Sequence, residues 1–128
     1  MGLKVREGIQ EPIHYLESRV RFSFSKCDVQ NYCIKTLAKD ELQRFYTKLG
    51  YFEKYTWGML KRLPREKGFS DDKKGTQAHY LLQTRMAECN TFGHFRVDGL
   101  DVNMRFFVGL REDLAYVLLI DREGKIQH

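Results

Sequence analysis

At 128 residues, with 42% apolar and 30% charged content, the chain is long enough to bury a core without metals or disulfides, and it reads as one unit over residues 1–128. A formal net charge of +5 and a pI of about 9.2 admit nucleic acid as a partner without requiring it. Cys27, Cys33 and Cys89 form no CxxC pair, which disfavours a disulfide framework or zinc site, and no apolar run is long enough to span a bilayer. The first residues also lack the hydrophobic core of a signal peptide, so the expectation is a cytoplasmic protein with reduced thiols and no membrane partner.

Residues 1–18 carry little pattern. Pro12 interrupts any long helix there, leaving an extended arm or a short helical turn ahead of a core spanning 19–128. Arg19 to Ser25 is a strand signal, with Val20, Phe22 and Phe24 facing one way and Arg19, Arg21 and Ser23 the other. Cys27 to Thr36 reads as a connection with a short helical turn. From Lys39 to Glu53 the spacing predicts a helix: Leu42, Phe45, Tyr46, Leu49 and Phe52 form one apolar stripe, with Lys39, Arg44 and Lys48 off it. Thr56 caps a second helix carrying Trp57, Leu60 and Leu63, which Pro64 stops. The two helices form a hairpin.

Arg65 to Thr91 is the least periodic stretch. GFSDDKKG has loop composition, and His79 to Leu82 fits a short strand or a helical turn equally well. Three strands follow. Phe95 and Val97 alternate with His94, Arg96 and Asp98; Met104, Phe106, Val108 and Leu110 alternate with Asn103, Arg105 and Phe107. Leu114 to Ile120 is apolar on both faces, suiting a central strand, and its register is not fixed by any alternation. The fold class is therefore α+β: an N-terminal strand, a two-helix hairpin and a three-stranded antiparallel sheet, with helices on one face and the other partly open.

A turn over Gly99 to Val102 of two or four residues sets Arg96 opposite Arg105 on the polar face, beside His94. Like charges in that position are unfavourable unless an anion lies between or near them. Nine Lys and Arg stand against four Asp and Glu between Lys35 and Lys67, so positive charge concentrates in the helical middle of the chain. Lys61, Arg62, Arg65 and Lys67, with Lys73 and Lys74 beyond, suit salt-dependent contacts to a phosphate backbone. Each taken alone fits a solvated surface as well, and Asp71 and Asp72 partly cancel the last two. Trp57 and the helical aromatic stripe read as core. No Gly-rich phosphate cradle, paired acidic metal site or nucleophile triad is present, so neither metal nor cofactor is expected.

The strand order, the basic helices and above all the tail, with an FRVxG strand, an arginine-bearing RFFVGL strand and YVLLIDREGKIQH ending on a histidine, resemble the RelE/ParE superfamily of bacterial toxins, in its RelE, YoeB and HigB branches. That resemblance implies a RelE-like β-α-α-β-β-β fold. It also implies the toxin of a type II toxin-antitoxin system: a metal-free, ribosome-dependent mRNA endonuclease whose partners are mRNA, the ribosome and a cognate antitoxin. Cleavage of that kind needs a base at the ribose 2′-hydroxyl, positive charge on the transition state and an acid at the leaving oxygen. Arg96 and Arg105 suit the charge role, since guanidinium groups grip phosphate bidentately, the alternative being two solvated arginines bridged by Asp98 or Asp101. His94 and His128 suit proton transfer, with His79 and Tyr80 as weaker candidates. The competing expectations are a non-catalytic RNA- or protein-binding domain of a phage or mobile element, and a ParE-like gyrase inhibitor.

Overall fold

The structure, a computed structural model, describes residues 16–65, 67–89, 91–97 and 104–126. Its elements run β1 (Arg21–Ser23), a 3-10 turn (Ile34–Thr36), α1 (Lys39–Phe52), α2 (Trp57–Lys61), β2 (Phe69–Asp71), α3 (Gln77–Arg85), β3 (Thr91–Arg96), β4 (Arg105–Arg111) and β5 (Leu114–Asp121). The α+β class holds, but the expected three-stranded antiparallel sheet does not. The sheet has five strands in the order β1-β5-β4-β3-β2. It is mixed, because β1 pairs parallel with β5 while the other neighbours are antiparallel. A third helix, α3, falls outside the expected two-helix plan, so the β-α-α-β-β-β order is corrected as well. The reason is local brevity. The strand β2 has only three residues, too few for alternation to distinguish it from loop, while β1, expected from its alternation, joins the sheet beside β5.

Helix α1 follows its stripe: Phe45, Leu49 and Phe52 are buried and Leu42 is half-buried, while Tyr46 has turned out to the surface. Its first turn is tied down by Glu41, whose carboxylate accepts from the Ala38 N–H at 2.7 Å and from Arg122 Nε at 2.7 Å. Thr56 caps α2 by accepting from the Met59 N–H, and Trp57 is fully buried with its Nε1–H donated to the Asp113 carbonyl at 2.9 Å. The undecided His79–Leu82 segment is helical, in α3. Thr76 starts that helix as an N-cap, accepting from the His79 N–H at 3.1 Å.

Both faces of the sheet are covered. On one, Phe69, Phe95, Phe106, Val117 and Ile120 pack under Phe45, Leu49, Phe52, Trp57 and Leu60 from α1 and α2. On the other, Phe92, Phe107, Leu118 and Leu119 pack under Ala78, Leu82 and Met86 from α3 and the turn after it. The second face, expected to be partly open, is roofed by α3. Burial on both sides explains why β5 does not alternate. The pairings Phe107↔Leu119 and Val108↔Val117 leave Leu118 as an extra residue, a β-bulge. Leu118 and Leu119 therefore both reach the α3 face, while Val117 and Ile120 reach the other.

Candidate functional site

Strands β3 and β4 pair with Arg96 directly opposite Arg105 and His94 opposite Phe107. All four side chains belong to the α3 face, since Phe95 and Phe106 occupy the alternate positions in the other core. Pairing continues one step further, with the Val97 N–H donating to the Met104 carbonyl at 3.0 Å. The turn over Gly99–Val102, with Asp98 and Asp101, lies outside the described residues, as does His128.

This face differs from an open polar surface in one decisive respect. His94 is 1% exposed and Arg105 6%, whereas Arg96 is half-buried. The burial is made tolerable by carboxylates that sequence reasoning missed as site residues. Asp72, 3% exposed, accepts from His94 Nδ1 with both oxygens, at 3.0 and 3.1 Å. Its own N–H donates to the Phe92 carbonyl at 2.8 Å, and its carbonyl accepts from His79 Nδ1 at 3.0 Å. The sequence signal was present: with Phe69 in the core, alternation sends Ser70 and Asp72 to the opposite face, while Asp71 stays exposed.

Asp121 is the second such carboxylate. It lies cross-strand from Arg105, is 1% exposed, and accepts from the Lys125 and Ile126 N–H groups at 3.0 and 2.8 Å. Burial, and after it the Arg96 charge, pull the Arg105 guanidinium below its ordinary pKa, while Asp121 and Asp72 push it back up. Arg105 is thus a cation held inside the protein between carboxylates.

Arg96 is in a different condition. Among the described residues its guanidinium makes no hydrogen bond or ion pair. A guanidinium carries five donors, and the cross-strand neighbour of this one is a like charge. Of the six basic residues expected at a nucleic-acid surface, Lys61, Arg62, Arg65, Lys67, Lys73 and Lys74, all are exposed. They flank β2, the edge strand. The pairing Phe69↔Phe95 sets Arg65 and Lys67 at the same end of the sheet as Arg96, and Lys73 and Lys74 beyond the other end of β2. Ser70 Oγ donates to the Arg65 carbonyl at 3.5 Å, which draws that residue's backbone toward the face carrying His94 and Arg96. The structure therefore sets Arg65, Lys67 and Arg96 at one end of the sheet, buries Arg105 and His94, and leaves Lys73 and Lys74 beyond the other end of β2. Of the weaker candidates, His79 is half-buried and committed to Asp72, and Tyr80 lies exposed on α3.

Other chemistries find less support. Burial pushes the Cys27 and Cys89 thiols up to about 11, so neither supplies a thiolate at neutral pH. Among the described residues no group of three or more His, Cys, Asp or Glu is placed to hold a metal ion, and no helix is long and apolar enough to cross a membrane. Comparison with protein-family models, with curated proteins and with solved structures finds no match to this chain.

Proposed function

We propose that this protein binds RNA through its phosphate backbone at the end of the sheet that carries Arg96, Arg65 and Lys67. The observation that carries the reading is Arg96 itself: a half-buried residue with no hydrogen bond or ion pair among the described residues, set against a like charge. A phosphate placed there would supply acceptors to Arg96 and relieve the repulsion from Arg105. Arg65 and Lys67 add charge at the same end, and Lys73 and Lys74 extend a basic track along the edge strand. RNA is the polyanion to test first because the tail resembles that of the RelE-type ribonucleases.

Fluorescence anisotropy with a labelled single-stranded RNA, repeated between about 50 and 200 mM salt, tests this directly. The expected result is an affinity that falls steeply with salt, and an Arg96→Ala variant that binds more weakly with a log–log slope shallower by about 0.7. Affinity that ignores salt, or that is unchanged in Arg96→Ala, would overturn it.

A second reading is the toxin endoribonuclease, with the ribosome and an antitoxin as partners. Its support is the placement of His94 two residues from Arg96 on the same strand face, with Arg105 opposite. Against it stands the geometry of His94, which is buried and has Nδ1 committed to Asp72, so proton transfer at RNA would need another group. Inducible expression with mapping of mRNA ends separates the two: new 5′ ends that disappear in Arg96→Ala support cleavage, and growth without new ends leaves RNA binding alone.

A further inference from the structure

At the end of the sheet one cross-strand row on the α3 face reads Arg96, Arg105, Asp121, from β3 through β4 to β5. Paired residues in an antiparallel ladder have Cα atoms about 4.5 to 5.5 Å apart, so the row is a charge sequence of plus, plus, minus across three strands. From this row we infer that the two arginines have different tasks: Arg105 is a positioning residue fixed inside the protein, and Arg96 alone touches the phosphate. The inference rests on the RNA-binding reading above and assigns roles within it.

Several observations separate the two side chains. Arg105 is 6% exposed and flanked by two carboxylates that are themselves buried, Asp121 at 1% and Asp72 at 3%. Neither carboxylate is free to leave. Asp121 is pinned by the Lys125 and Ile126 N–H groups, and Asp72 by His94, by the Phe92 carbonyl through its own N–H, and by His79. A guanidinium between fixed carboxylates has little reason to swing toward a ligand. Its charge nevertheless acts on Arg96. Arg105 occupies the site next to the carboxylates, so Arg96 cannot fold inward to take them. Repulsion from Arg105 disfavours an Arg96 head turned in along the row and leaves it to the end of the sheet that also carries Arg65 and Lys67.

A double-mutant cycle on RNA affinity tests this assignment, with folding of each variant checked by circular dichroism. Arg96→Ala lowers the salt slope by about 0.7, one phosphate contact on single-stranded RNA. Arg105→Met weakens binding as well, because Arg96 is then free to turn onto Asp121 and Asp72. The double variant binds no more weakly, and with no shallower slope, than Arg96→Ala alone. A further slope loss of about 0.7 in the double variant means that Arg105 contacts phosphate itself, which overturns the assignment. A measurement on the wild-type protein guards against misfolded variants. Arginine side-chain NMR should give intermolecular cross-peaks to RNA ribose protons from Arg96 and none from Arg105; cross-peaks from Arg105 overturn the assignment independently. If wild-type protein shows no RNA binding at all, the binding reading falls first and this inference with it, an outcome distinct from a failed cycle.

Discussion

Under α1 and α2 the sheet presents a stack of rings: Phe95 lies parallel to Phe106 at 5.0 Å, with Phe52 packed on Phe95 at 4.6 Å and Trp57 edge-on to Phe69 at 6.0 Å. Under α3 the same strands present Phe92, Phe107, Leu118 and Leu119 mixed with His94, Arg105, Asp72 and Asp121. The first face can be replaced only by other shapes of equal volume. The second depends on charge matching, because every ionised group it buries needs a partner. The comparison teaches where a ligand site can arise. An aromatic stack has no unmet valence, whereas a buried charge row can leave its outermost member, here Arg96, without a partner among the described residues.

The largest expected effect is on the ring stack. Phe95→Ala removes a fully buried ring touching Phe22, Phe52, Phe69 and Phe106. It should cost about 3 to 5 kcal/mol in urea unfolding. A cost below that of the charge-row variants would break the comparison.

Next comes Asp72→Ala, which strips His94 and Arg105 of a buried carboxylate. About 3 kcal/mol should be lost. Near-neutral stability in this variant would show that the α3 face does not depend on charge matching.

Smaller is Glu41→Gln, at the far side of α1. The Arg122 hydrogen bond, and after it that of the Ala38 N–H, hold the Glu41 carboxyl below its ordinary value. A group depressed in the folded state stabilises fully above its unfolded pKa, about 4.3, and loses that contribution as pH falls through its folded value. Arg122 is substantially exposed, so solvent screens the pair and about 1 kcal/mol is the expected difference at pH 7. Thermal melts at pH 7 and pH 3 should show wild type and variant converging at the lower pH. Constant separation would assign the effect to packing instead.

The smallest stability effect belongs to Arg96→Ala, within about 0.5 kcal/mol of wild type by the same unfolding assay, because no partner among the described residues is lost. A cost of several times that size would mean that Arg96 is structural and would remove the observation on which RNA binding rests.

Much of this was legible in the residues. The α1 stripe of Phe45, Leu49 and Phe52 follows from a period that local sterics impose, and Thr56 caps α2 as expected, but that helix ends at Lys61, short of Leu63 and Pro64. Because strand side chains alternate strictly, His94, Arg96, Arg105 and Phe107 share a face for any connection of even length, and the sequence could show as much without knowing what lay above them. What covers that face was another matter. Helix α3 is only nine residues and lies in the stretch without periodicity, and the roof it makes turned an expected open surface into a buried one.

Local pattern carries information over a few residues, so it determined the long helix, the alternating strands and the surplus of positive charge between Lys35 and Lys67. Tertiary structure alone decided the pairings that span the chain. Arg21 meets Leu114 in the parallel β1–β5 ladder, and Leu118 bulges so that β5 can serve two cores. Asp72 reaches His94 across 22 positions. Each of these is a contact between segments that carry no mutual signal until the backbone brings them together. The separate fates of Arg96 and Arg105 depend on two such contacts, Asp121 across the β4–β5 pair and Asp72 from beyond the edge strand.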